Sequence, residues 1–291
     1  MCSDIKKRIK GTTSIRKITK SMKMVSAAKL RGDQTRLANG APFGRSARPF
    51  LPALYSIEDA SPPEVTAKKG MVAVVSTDKG LCGGINTFST RMTKLVLDQH
   101  EKKGDAGVGL YIYGMKSEGQ LRRTHGKYVK GSIDECWKQP MNFAEASGMS
   151  SALLAAVKEG GYDEVSLVFN TFKSMIKYLT VVQRVPNFET LLAKQEAGGL
   201  PAPLDKYELE PDSSTEAVQN FFEWTMATTL YGACIDNACA EQSSRVQAMD
   251  GATKNAGEMI DKLLLEYNRA RQSKITTELI EIISGAESLK G

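Results

Sequence analysis

Three places in this chain of 291 residues carry side chains of the right type and spacing to do chemistry. The first is Asp78-Lys-Gly-Leu-Cys-Gly-Gly84, a glycine-rich turn between an apolar run and an amphipathic one. Backbone N–H groups at such a strand-to-helix turn can cradle a phosphate. The turn lacks the Gly-x-Gly-x-x-Gly order, and no Lys-Ser or Lys-Thr follows its last glycine. Its motif therefore fits a tight structural turn better than a nucleotide site. The second is Gly109-Leu-Tyr-Ile-Tyr-Gly-Met-Lys116-Ser117, one residue away from a phosphate-binding loop. Met115 displaces the lysine, and the first glycine falls inside a strand pattern, so that geometry fails. The third is Cys82 as a nucleophile. A reactive thiolate needs a base or a cation beside it. The two histidines, His100 and His125, sit in no recognisable context, although Lys79 is near in sequence. A small thiol packing the turn is the expectation. No metal-ligand spacing, paired catalytic carboxylates or aromatic-interleaved RNA motif appears, and the residues assign no catalytic group, cofactor or metal.

The elements that would position these residues are unusual. From about Ser213 to Gly291 the chain reads as one proline-free helix, on the order of 115 Å long at 1.5 Å per residue. Val246, Met249, Thr253, Ala256, Ile260, Leu263, Tyr267 and Ala270 step by three and four, the spacing of a coiled-coil seam. Val218, Phe222, Thr225, Thr229 and Ala233 extend a looser version upstream. At the opposite terminus Ile15, Ile18, Met22 and Val25 repeat the same steps. The expectation is an antiparallel pair formed by the two chain ends, because no other segment matches the long helix in length and pattern. Pro42, Pro49, Pro52, Pro62 and Pro63 mark the exit from the first helix, and Gly198 to Pro203 the entry to the second.

Between them the hydrophobic period changes. Met71–Ser76, Val108–Tyr113, Glu164–Phe169 and Ile176–Val185 read as strands; Ile85–Glu101 and Met149–Glu159 read as helices. Strands alternating with helices predict a Rossmann-like α/β domain with a mostly parallel sheet, inserted between the terminal helices. The predicted domains are an N-terminal shaft helix over 1–60, the α/β domain over 70–205 and a C-terminal shaft helix over 212–291.

Charge is uneven. Residues 1–36 hold eleven Lys or Arg against Asp4 and Asp33, a net +9, whereas the remainder is −3. Such a helix can be a mitochondrial import sequence, a nucleic-acid or anionic-membrane surface, or a face for an acidic protein. Because like charges on one helix repel, a counter-surface is expected. The five cysteines lack paired spacing and read as reduced thiols inside a cell, and no apolar run is long enough to span a bilayer.

Four segments then resemble one family in order along the chain. Ile18-Thr-Lys-Ser-Met-Lys-Met-Val-Ser-Ala-Ala-Lys29 is similar to the opening motif of the gamma subunit of F-type ATP synthases. Ser76-Thr-Asp-Lys-Gly-Leu-Cys-Gly-Gly-Ile-Asn86 resembles the motif after that family's first strand. Arg245–Ala256 and Tyr267–Ala286 resemble its C-terminal signature. The resemblance implies a non-catalytic central-stalk rotor that couples proton-driven rotation to ATP synthesis and binds no nucleotide or cofactor itself. It implies alpha and beta subunits of a catalytic head, delta- or epsilon-type small stalk subunits and a membrane c-ring as partners. Nucleic acid is not among them, and membrane association is indirect.

Residue by residue, the resemblance places Arg271, Gln272 and Thr276 at the beta subunit's catch loop. It places Lys17, Lys20, Met22 and Lys23 at acidic levers of beta. Ile282, Ile283, Ala286 and Leu289 form an apolar tip turning in a hydrophobic sleeve, and Tyr207 and Glu210 a foot on the membrane ring. Leu209 stands where some relatives have an aromatic. Ile18–Met24 and Glu258–Leu263 look more mitochondrial than bacterial, and the chloroplast form's cysteine-bearing insert is absent. The implied location is the matrix side of the mitochondrial inner membrane. The chain starts almost at the family motif, so it is expected to be either mature or imported by its own basic helix.

Overall fold

A computed structural model describes residues 2–56, 69–102, 107–187, 189–190 and 214–288. Two helices dominate it: α1 (Cys2–Gly44) and the 75-residue C-terminal α5 (Ser214–Ser288). The chain divides into two compact units, Met1–Ser26 with Val246–Gly291, and Ala27–Arg245.

In the first unit α1 and α5 run antiparallel. The Thr253 hydroxyl donates to that of Thr19 at 2.8 Å, and Lys23 pairs with Asp250 at 2.6 Å, so residue numbers fall on one helix as they rise on the other. The α5 side of the seam is the one its spacing predicts. Met249, Ala256, Ile260 and Leu263 are buried, and Val246, Thr253, Tyr267 and Ala270 are half-buried. The α1 side differs. Met22 is half-buried, but Ile15, Ile18 and Val25 are 55, 58 and 57% exposed. Thr19 and Ser26 take the seam instead. Both stripes share Met22, and Thr19 and Ser26 each stand one position after Ile18 and Val25, which turns the face by roughly 60°. Small hydroxyl side chains let the helices close, and the Thr253–Thr19 bond adds to the ones these hydroxyls make to the Met249 and Arg16 carbonyls of their own helices. The most apolar face of α1 is thus its outer face.

In the second unit a six-stranded sheet has the order β1-β6-β5-β2-β3-β4, with β1 (Tyr55–Ser56), β2 (Gly70–Val75), β3 (Gly109–Tyr113), β4 (Val129–Ile133), β5 (Glu164–Phe172) and β6 (Tyr178–Pro186). The pairings β5-β2, β2-β3 and β3-β4 are parallel, while the hairpin β5-β6 and the pair β6-β1 are antiparallel. Period-2 alternation sorts the core. Val72, Val74, Leu110 and Ile112 face Met92, Val96 and Leu97 of α2 (Ile85–Lys102) and Leu121 of α3 (Met115–His125). Met71, Ala73, Val75, Tyr113 and Leu167 face α4 (Phe143–Gly160) and Phe222, Met226, Leu230 and Cys234 of α5.

Helix α4 begins at Phe143, upstream of the predicted Met149, because Asn142 caps it by accepting from the Glu145 N–H at 2.8 Å; it stops where Gly161 turns left-handed. The exit from α1 also differs from expectation: Pro42 lies inside the helix, which continues to Gly44. There α1 and α5 approach backbone to backbone. A Cβ on Gly232 would lie 2.4 Å from the Gly44 carbonyl oxygen. Just beyond, the buried Asp236 carboxylate of α5 meets Arg45 at 3.1 Å and Arg48 at 3.7 Å. Burial raises its pKa, and the two guanidiniums only partly oppose that.

Candidate interaction surfaces

The three candidate places of the sequence are each engaged in structural contacts. Asp78 accepts from the backbone N–H groups of Met115, Glu135 and Trp137 at 3.1–3.2 Å, tying three loops together at the C-terminal edge of the sheet. Cys82 is buried, and its pKa is raised first by that burial and then by Glu241, the opposite of what a nucleophile requires. His100 cannot serve it: its ring packs against Gly70 at the start of β2, whereas Cys82 lies beyond that strand's end. His125 ends α3 beside Thr124 and Tyr128. At the second near-motif β3 runs into Gly114, with φ of 99°, and α3 starts directly, leaving no phosphate loop.

An open α/β sheet binds ligands where its strand order reverses, outside the carboxyl ends of the strands. Here that point lies between β2 and β5, and α5 fills it. The Asn237 amide donates to the Ser76 carbonyl at 3.1 Å, and its oxygen accepts from Asn170 at 2.8 Å. Asn170 in turn donates to Ser89 and accepts from Thr180. One and two turns on, Arg245 pairs with the buried Glu241 and reaches the Gly80 carbonyl at 3.4 Å, while Ser244 donates to the Cys82 carbonyl. Burial raises the Glu241 pKa against the pull of Arg245. The carbonyls of the glycine-rich turn thus hold α5. Sequence reading missed this network, although Asn237, Glu241 and Ser244 stand at helical spacing inside an otherwise apolar stripe. Asn237→Ala should lower unfolding stability by about 1–3 kcal/mol for the buried partners it strands. Urea denaturation measures this, and an unchanged midpoint would remove the plug from the account.

What remains available is surface. On α1, Ile15, Ile18, Met24 and Val25 are exposed, with Lys17 and Lys20 exposed between them. Met22 and Lys23 lie at the border of the seam, and Lys23 is held by Asp250, whose pKa falls through that hydrogen bond and a second one from Lys254. On α5, every residue from 271 to 288 is exposed. This stretch contains Arg271, Gln272 and Thr276, the last bonding its hydroxyl to the Gln272 carbonyl one turn back. It also contains Ile275, Leu279, Ile280, Ile282, Ile283 and Ala286, an apolar helix end with no packing partner among the described residues. The predicted Tyr207, Glu210 and Leu289 lie outside the described residues. Apolar side chains of this number left in water mark contact surfaces.

Comparison with known proteins gives the same picture a family. The family model described as ATP synthase matches residues 1–289. The chain is 39% identical over 290 residues to the mitochondrial ATP synthase subunit gamma of Ipomoea batatas, covering 99% of this chain and 85% of the relative. It is 36% identical to the ATP synthase gamma chain of Pelagibacter ubique, covering 98% of each. Among solved structures it is similar to a chain of the central stalk and c-ring of the Tetrahymena thermophila mitochondrial ATP synthase, at 26% identity and TM-score 0.64 over 81% of this chain and 99% of that one. A chain from the Euglena gracilis mitochondrial ATP synthase shares the fold, with 19% identity and TM-score 0.80 over 99% of this chain and 94% of that one. The chain belongs to the gamma-subunit family of ATP synthases.

Proposed function

We propose that the chain is the central-stalk rotor of an F-type ATP synthase and contributes no catalytic group of its own. The observation that carries this reading is the helix pair of the first unit. On the α1 side its seam is filled by the small hydroxyl side chains Thr19 and Ser26, while Ile15, Ile18, Lys17 and Lys20 face outward. A helix pair that needed only to be stable would bury those isoleucines, so their exposure implies surrounding protein. Lys17 and Lys20, with Met22 and Lys23 at the seam border, meet acidic levers of the beta subunits. Exposed ion pairs of this kind contribute roughly 0–1 kcal/mol each, weak enough to be made and broken every turn. Arg271, Gln272 and Thr276 engage a catch loop of beta, where a charge-assisted hydrogen bond of about 1.5–3 kcal/mol biases one conformation without locking the shaft.

The apolar end at Ile282, Ile283 and Ala286, continuing to Leu289, turns in a sleeve of the head. Hydrophobic contact is non-directional and sets little angular barrier. Tyr207 and Glu210 stand on the c-ring, and delta- or epsilon-type subunits dock on the sheet unit. The complex holds the chain on the matrix side of the mitochondrial inner membrane. As domains, the two terminal helices act as shaft and the 70–205 region as the body between them.

Equilibrium dialysis and an ATPase assay on the purified chain, set beside the assembled complex, test the reading. The chain alone is expected to hold no stoichiometric ATP or ADP and to hydrolyse none, while the complex containing it does both. Stoichiometric nucleotide on the isolated chain, lost in Gly83→Val, would overturn it in favour of a nucleotide-binding enzyme.

A further inference from the structure

The most exposed large apolar side chain among the described residues is on neither helix. Ile176, 82% exposed, stands at the tip of the β5-β6 hairpin beside Met175 at 55%. Lys173 and Lys177 flank the pair, and both are exposed. Beyond Glu164, the first residue of β5, no Asp or Glu occurs before Glu189, so the tip and both strands leading to it are free of acids along the sequence. A loop that merely connected two strands could carry polar residues at these positions at no cost.

The tip is also built to hold still. Lys173 and Ser174 donate their N–H groups to the Lys177 carbonyl at 3.1 and 2.9 Å, and Lys177 returns a bond to the Ser174 carbonyl at 3.3 Å. The Ser174 hydroxyl accepts from the N–H groups of Ile176 and Lys177 at 3.3 and 3.1 Å. From α5, Ser243 donates its hydroxyl to the Met175 carbonyl at 2.8 Å. At the base Phe172 and Tyr178 face each other in register. Phe172 packs with Leu37, Ile235 and Cys239, and Tyr178 with Cys82, Ile85 and Ala240. Each strand end is therefore anchored in its own apolar cluster. Two apolar side chains are thus presented to solvent in a pre-ordered geometry, which lowers the entropy cost of a contact.

We propose that this hairpin tip, Lys173–Lys177, is a docking knob for a partner protein whose surface offers an apolar recess rimmed by Asp or Glu. The basic, acid-free character of the tip selects the rim, and the Met175–Ile176 pair selects the recess. A protein partner fits better than a lipid surface. The two side chains offer about seven carbons, roughly half of a myristoyl chain, which by itself binds membranes only marginally. The proposal rests on the reading that the chain works inside a multisubunit complex, but not on the shaft contacts of its terminal helices.

The test places a photoreactive phenylalanine analogue at Ile176 in the native complex, with the same group at the exposed Gly119 of α3 as control. Illumination is expected to cross-link position 176 to an acidic stretch of a neighbouring subunit. The yield should fall at least fivefold with Lys173→Glu and Lys177→Glu together, and recover when an acid in the linked stretch is changed to Lys. Cross-linking to lipid acyl chains, the absence of any cross-link, or a yield indifferent to the double charge reversal would each overturn the knob. Co-purification of the chain is scored on the same samples. A chain absent from the complex speaks against the rotor, whereas one retained without the cross-link speaks against the knob alone.

Discussion

Gly232→Val is expected to destabilise the chain by about 3 kcal/mol, at the upper end of the range for overpacking. The clash is with backbone. A Cβ at 232 would meet the Gly44 oxygen at 2.4 Å and the Gly44 carbonyl carbon at 2.9 Å, and neither atom can rotate aside as a side chain could. Relief requires α1 and α5 to separate where Leu37, Ile235 and Cys239 pack and where Arg45 reaches Asp236. Gly257→Ala, also in α5, is the control. Its Cβ would meet nothing within 4 Å, so it should gain up to about 1 kcal/mol from helix propensity alone. Urea denaturation followed by near-ultraviolet circular dichroism separates the two. Equal midpoints for Gly232→Val and the parent would show that the helices do not cross this closely.

Leu263→Asp should be comparably damaging in the first unit. Leu263 is 3% exposed, at the seam position the spacing of α5 assigns it. Its removal costs about 2–5 kcal/mol, since a cavity is left and a carboxylate must be hydrated inside the seam. Leu265→Asp, two residues on, changes a side chain that is 62% exposed and should stay within about 0.5 kcal/mol for the isolated chain. The measurement is limited proteolysis of residues 246–288, alongside assembly into the complex. Rapid cleavage for the first variant and parent-like cleavage for the second are expected. Intact, parent-like assembly of Leu263→Asp would contradict the packing described.

Much of this architecture was legible because two hydrophobic periods alternate cleanly along the chain. The α5 seam from Met249 to Leu263 and the strands from Met71 and Glu164 follow directly from apolar spacing, while the strand expected from Ile176 begins at Tyr178 because Ile176 belongs to the hairpin tip. The α1 face was not legible, and the reason is physical. An apolar stripe reports the side that avoids water, without saying whether the protector is the same chain or another. Ile15, Ile18 and Val25 keep the seam pattern on a face that stays exposed, while Thr19 and Ser26 make the internal contact. Strand β4 escaped notice because Val129, Gly131 and Ile133 are only half-buried on a sheet edge. Helix α3 escaped because it buries only Ser117 and Leu121. The polar plug was hidden for a similar reason: Asn237 and Asn170 lie far apart in sequence and neither belongs to a catalytic motif. Their pairing arises only once α5 lies across the ends of β2 and β5.

A rotor of the proposed kind turns its terminal helices inside a ring of other subunits. This is tested by immobilising the catalytic head and attaching a bead to the chain through Gly119→Cys on α3. The outer face of α1 then carries Ile18→Cys, opposite a cysteine in the neighbouring subunit. On addition of ATP the bead should turn in one direction, stop when Ile18→Cys is oxidised to a disulfide with its neighbour, and turn again on reduction. ATP hydrolysis that continues at full rate while Ile18→Cys is covalently tied to its neighbour would contradict the account.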